Sequence, residues 1–138
     1  MRRQGLGEFV AAQDRVWPQV EAELAAGRKA SHWMWFVFPQ AAGLGRSETA
    51  RFYALDGLAE ARAYLAHPVL GPRLRRAVDL MLGHAGEDAA AILGGIDAIK
   101  LRSCLTLFAE AAPEEERFAA ALAAFYDGPD RATLDLLR

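Results

Sequence analysis

The sequence predicts an all-α fold of about seven or eight short helices, and three observations lead there. Alternation of period two never lasts, and alanine far outweighs the β-branched residues. Apolar side chains instead recur three and four positions apart, between Gly, Pro, Asp and Ser residues that punctuate the chain.

Residues 8–26 place Phe9, Gln13, Val16, Val20 and Leu24 on one stripe, with Gly27 as a natural stop. Trp17-Pro18 falls inside this run. Proline has no N–H and crowds the carbonyl four residues back, so a kink or a fresh start is expected there. The aromatic run at 31–38 is expected to form a brief helix, capped by Ser31 and broken at Phe38-Pro39. Two short helices follow over 47–55 and 57–66, with Ser47 and Asp56 as N-cap candidates and His67-Pro68 closing the second.

Over 69–84, Leu70, Leu74, Ala77 and Met81 share one face and the arginines lie mostly elsewhere, the pattern of an amphipathic helix. The run EDAAAIL makes another short helix, ended by Gly94-Gly95. Asp97 is expected to cap a helix through Glu110, whose stripe is Leu101, Cys104, Leu105 and Phe108. Pro113 in a first turn, followed by Glu114, Glu115 and Glu116, suits the positive end of a helix dipole. Phe118, Leu122 and Phe125 would carry that helix's buried face. Finally DGPD turns the chain and Asp130 caps RATLDLLR.

A chain of 138 residues is read as one domain, 1–138, large enough to build a core without staples. One cysteine, Cys104, excludes an intrachain disulfide, and its apolar neighbours mark it as a small buried hydrophobe. No apolar run approaches the length of a membrane span or a signal peptide, so a cytoplasmic protein with no membrane partner is expected. A net charge of −2 gives no global attraction to nucleic acid, and the RLRR cluster reads as a solvated helix face.

The stretch SHWMWFVFPQ, residues 31–40, has no polar side whichever period is tried. It must be covered nearly all round, by the fold, a partner or a ligand. Core packing explains most of its rings. It explains His32 less well, because a titratable ring enclosed by indoles has its charged form disfavoured and needs a partner for each buried nitrogen. His32 is therefore the best general acid/base candidate, with a satisfied core histidine as the alternative.

Four segments occur in order: AAQDRVWPQVEAELAAGRKASHWMWFVFPQAAGLGRS, YLAHPVLGPRL, IDAIKLRSCLTLFAEA and FYDGPDRATLDLL. Together they resemble the bacterial and fungal family known as domain of unknown function 1810, from about Phe9 to the C-terminus. The resemblance implies a compact helical fold and no established activity. It also implies a lysine at the position of Lys100, in the run Lys100-x-x-Ser103-x-x-Thr106-Leu107-Phe108. Some members carry the label calpastatin. That inhibitor is disordered and polar, whereas this chain is 53% hydrophobic.

Other positions bear on a site. Gln13 lies in an apolar stripe, so either a backbone group or a ligand should bond its amide. The loop of Gly43, Gly45, Arg46 and Ser47 precedes a helix start and reads as a turn capped by Ser47 or as an anion cradle. Lys100 beside the buried stripe either snorkels to water or points at a phosphate or carboxylate, with Ser103 on the same shoulder. His67 and His84 fit helix ends. No metal-ligand spacing, nucleophile elbow or cofactor motif is present.

Two readings of function result. The first is a small-molecule site walled by Trp33 and Trp35 and furnished by Gln13, His32, Gln40, Gly43, Gly45, Arg46, Ser47, Lys100 and Ser103. A planar ring joined to an anion suits it, so the ligand class is a nucleotide or an ADP-ribose derivative. If it is catalytic, His32 shuttles a proton and Lys100 holds negative charge. The second reading is a non-enzymatic interaction module or homodimer that buries part of the aromatic segment in an interface. A purely structural reading of every polar residue stands beside both.

Overall fold

The computed structural model describes residues 3–138; of the expected domain, residues 1 and 2 lie outside it. Ten helices succeed one another: α1 Gly7–Asp14, α2 Trp17–Ala26, α3 Met34–Val37, α4 Glu48–Phe52, α5 Leu58–Ala66, α6 Leu70–Leu82, α7 Ala89–Leu93, α8 Gly95–Ala111, α9 Glu116–Phe125 and α10 Arg131–Leu136. Among the described residues there is no strand, only isolated bridges at Ala41–Leu55 and Ala85–Glu87. None of these helices is long and apolar enough to cross a membrane.

Ten exceeds the seven or eight expected, in part because the run 8–26 is two helices. Pro18 starts a second helix instead of kinking the first: α2 begins at Trp17 with proline in its first turn, where a missing N–H costs nothing. Sequence reading also misplaced four starts. Met34 opens α3 with Trp33 at its cap position, while the Ser31 side chain is turned to α2, donating to Glu23 and accepting from Gln19. Gly57 rather than Asp56 precedes α5, at a φ of 140°. Helix α8 starts at Gly95, so Asp97 sits inside its first turn. Likewise Pro113 and Glu114 fall in the turn before α9, which begins at Glu116.

Of the expected side-chain caps, those of Ser47 and Asp130 form, and Asp88 adds one at α7. Ser47 accepts from the Ala50 N–H at 3.0 Å, and Asp130 accepts from the Thr133 N–H at 2.9 Å. At the α5–α6 junction His67 acts in a way its type does not announce. Its Nδ1 accepts from the N–H groups of Val69 and Leu70, at 3.1 and 3.3 Å, and so serves the first turn of α6.

Helix α8 is the axis of the molecule. It packs against α5, α7, α9 and α10, and from Ser103 to Phe108 every residue is buried, so this stretch is enclosed on all sides. Phe108 stacks on Phe118 of α9 and meets Tyr64 of α5, which stands edge-on to Phe9 of α1. The expected faces of α6 (Leu70, Leu74, Ala77, Met81) and α8 (Leu101, Cys104, Leu105, Phe108) are all buried in this one core. Burial pushes the Cys104 thiol up, away from the reactive thiolate.

Candidate functional site

The site is built from the loop that leaves α2. Glu23, in the last turns of α2, is nearly buried and takes four donors: the N–H of Ala30 at 2.8 Å, the N–H of Ser31 at 3.1 Å, the Ser31 hydroxyl at 2.7 Å and the Trp33 indole at 2.9 Å. Burial by itself would raise this carboxyl. The donors, from Ala30, Ser31 and Trp33, outweigh it and hold it down at about 2. A fixed carboxylate thus folds residues 30–33 back over the end of α2.

That bend sorts the aromatic run. Trp33 points inward with no exposure at all, Met34, Val37 and Phe38 are buried, and Trp35 and Phe36 are half-buried. His32 points out. The expectation that it is shut in among indoles is therefore corrected: it is exposed, because the chain turns over Glu23 before the helix begins. Trp33 is a core ring, not a surface wall.

Two lysines then converge on one carboxylate. Lys29, its side chain only 8% exposed, places Nζ 2.9 Å from Oδ2 of Asp97, 2.6 Å from the Ser31 carbonyl and 5.0 Å above the Trp33 ring. One turn along α8, the ammonium of Lys100 lies 3.8 Å from Oδ1 of the same Asp97 and 5.0 Å over the ring of Trp35. A partly covered patch results in which two cations share one anion beside an indole face. The first turn of α8 favours the carboxylate there, and no side chain caps that helix end.

The remaining predicted residues go elsewhere. Gln13 is 1% exposed, and its amide donates to the Phe36 carbonyl at 2.6 Å and the Tyr64 hydroxyl at 3.0 Å while Arg73 approaches its oxygen at 3.5 Å. Since α3 has four residues, its last carbonyls, that of Phe36 among them, lie beyond the reach of an intrahelical N–H, and Gln13 supplies a donor to Phe36. Ser103 is buried and donates to the Ile99 carbonyl or to Asp130, at 3.3 and 3.5 Å. Gln40 contributes its carbonyl to the Leu55 N–H at 2.9 Å.

In the 43–47 loop Arg46 is exposed, Ser47 is occupied as a cap, and the glycines serve close approach. A Cβ on Gly45 would stand 2.4 Å from that of Ala50, and Gly43, at a φ of 103°, rests against Leu136. The structure thus brings together Trp35 and Lys100 and leaves Gln13, Trp33 and Ser103 to internal partners. Glu23 and Lys29 were missed in the sequence, and Asp97 was read only as a cap. A bonded pair 68 positions apart, Lys29 and Asp97, leaves no local signal.

Three concavities open away from this patch. One of about 110 Å³ is lined by residues including Arg3, Arg51 and Phe52. Another, of about 380 Å³, lies between Arg62, Leu65, Arg75, Ala111 and Glu114. A third, of about 220 Å³, is bounded by Glu48, Thr49, Phe52 and Tyr53. None of the three is lined by a predicted site residue. Trp35 and Lys100 therefore form a feature of the open surface rather than of one of these hollows.

The fold is similar to that of the conserved hypothetical protein Rv1873 from Mycobacterium tuberculosis, whose crystal structure superimposes with a TM-score of 0.93. The two are 48% identical, over 96% of this chain and 95% of that one. No curated protein matches. Residues 3–137 match the family described as "Protein of unknown function (DUF1810)". With nearly the whole of its length inside that match, the chain belongs to the DUF1810 family.

Proposed function

We propose that this chain binds a small anionic molecule bearing a planar ring, of the nucleotide or ADP-ribose type, on the surface formed by Trp35, Lys100 and the N-terminal turn of α8. The observation that carries the reading is the charge count: Lys29 and Lys100 face the single carboxylate of Asp97. The side chain of Lys29 is largely covered and committed to that carboxylate. Lys100 is more exposed and more loosely held, so it is free to turn to an incoming phosphate.

Trp35 supplies a face for the ring, and the uncapped start of α8, with Gly94 and Gly95 exposed, supplies backbone N–H groups to the anion. In a catalytic form of this reading, exposed His32 moves a proton while Lys100 holds the developing charge. Because the patch is open, charge dominates the affinity, and binding weakens with salt.

Calorimetric titration with ADP-ribose and ADP tests this, with adenosine and ribose 5-phosphate as partial ligands. Both full ligands should bind more tightly than either half, and Lys100→Ala and Trp35→Leu should each weaken them about tenfold. Absence of binding heat, or variants that bind like the parent, would overturn the reading.

One observation favours a second reading, the interaction module or homodimer. Ile96 and Ile99, on the first two turns of α8, are 74% and 66% exposed. The apolar surface available to a partner is thus these isoleucines, since Trp33 is already covered by its own chain.

A further inference from the structure

The groove of about 380 Å³ lies at the opposite end of α8 from Lys100 and has the size of a small-ligand site. Leu65, Ala66, Ala111 and Ala112 line it with apolar surface, and four charged residues stand around them: Arg62, Arg75, Glu114 and Glu115. Two of the four neutralise each other. Arg75 forks onto Glu115 through Nε and Nη2, at 2.7 and 2.9 Å. That pairing raises the Arg75 guanidinium and lowers the Glu115 carboxyl.

Arg62 and Glu114 behave differently. The Nε of Arg62 is fixed on the Ala111 carbonyl at 3.0 Å, in the last turn of α8. Its two terminal nitrogens have no partner among the described residues, and neither has the Glu114 carboxylate. The groove therefore presents a guanidinium edge and a carboxylate, both exposed and both available to a ligand.

The geometry points to a binding site for a zwitterion with an aliphatic arm, a free apolar amino acid. Its carboxylate meets the terminal nitrogens of Arg62, its ammonium meets Glu114 near the negative end of α8, and its side chain lies on the alanine and leucine floor. The anchored Nε matters here. It fixes the plane of the guanidinium, so less freedom is lost when the fork closes on a carboxylate. This site is independent of the Trp35 patch.

L-leucine, 4-methylpentanoate and 3-methylbutylamine are the probes, added to 15N-labelled protein and followed at the amides of Leu65, Ala66 and Ala112. Leucine should give saturable shifts with a Kd of about 1 mM or lower, and each half-molecule should bind about tenfold more weakly. Glu114→Gln should weaken leucine and leave 4-methylpentanoate unchanged, whereas Arg62→Gln should weaken leucine and leave 3-methylbutylamine unchanged. Glu114 is exposed and bonds to nothing, so its variant tests the site even if loss of the Arg62 contact disturbs the fold. No saturable shift, equal binding of the half-molecules, or indifference of leucine to Glu114→Gln would overturn the proposal.

Discussion

A single carboxylate, Glu23, decides which rings face inward, and its acidity is measurable. Its folded value is about 2, below the ordinary carboxylate value of 4.5. A depressed acid contributes stability that is fully present above about pH 4.5 and is lost as pH falls toward 2. Glu23→Gln keeps an acceptor oxygen and removes the charge, so it should cost about 2 kcal/mol at neutral pH. Its urea midpoint should then decline less steeply than the parent's between pH 4.5 and 2. Parallel acid profiles of the two proteins would mean the four donors do not set this value. Gln13 makes a similar case without charge. Gln13→Leu removes the amide donor from the Phe36 carbonyl and the Tyr64 hydroxyl and leaves them only their long mutual bond of 3.4 Å, so a loss of about 2 kcal/mol in chemical unfolding is expected. That Gln13 needed a partner was legible in the sequence, since it sits in an apolar stripe. Which partner was not, because Phe36 and Tyr64 lie 23 and 51 positions away.

At the level of helices, legibility followed the range of the interaction. Ser47 and Asp130 bond N–H groups three residues on, so their caps can be read from the chain itself. Asp97 looked the same and is not a cap: α8 already begins at Gly95, and the Asp97 carboxylate joins Lys29 in a tertiary ion pair. The α5–α6 corner shows what local pattern leaves out. Gly71 lies in the first turn of α6, and a Cβ there would stand 2.1 Å from the Leu65 carbonyl, a backbone atom that cannot swing aside. Gly71→Ala should therefore destabilise by more than about 2 kcal/mol. Gly7→Ala is the contrast: at the start of α1 a Cβ meets nothing within 4 Å, and a gain of about 0.5 kcal/mol is expected. Thermal unfolding of both variants separates close approach from helix propensity, since propensity alone would make both substitutions favourable.

Across the whole molecule, a central helix enclosed by its neighbours leaves little apolar surface outside. Among the described residues Ile96, Ile99 and Leu136 are the large hydrophobic residues that remain exposed, and the first two sit on the first two turns of α8. Isolated exposed isoleucines are ordinary on folded proteins, and an interface needs a contiguous patch. The small-molecule reading and the interface reading therefore diverge on one double variant, Ile96→Gln with Ile99→Gln, which keeps helix propensity and removes the apolar surface. Because these side chains touch little, unfolding stability should stay within about 0.5 kcal/mol of the parent. Parent and variant should elute at the same volume in size exclusion, and the variant should keep its ADP-ribose affinity, since Trp35 and Lys100 are untouched. A parent that elutes as a dimer and a variant that elutes as a monomer would move the function from the indole and its lysine to the isoleucines one turn away.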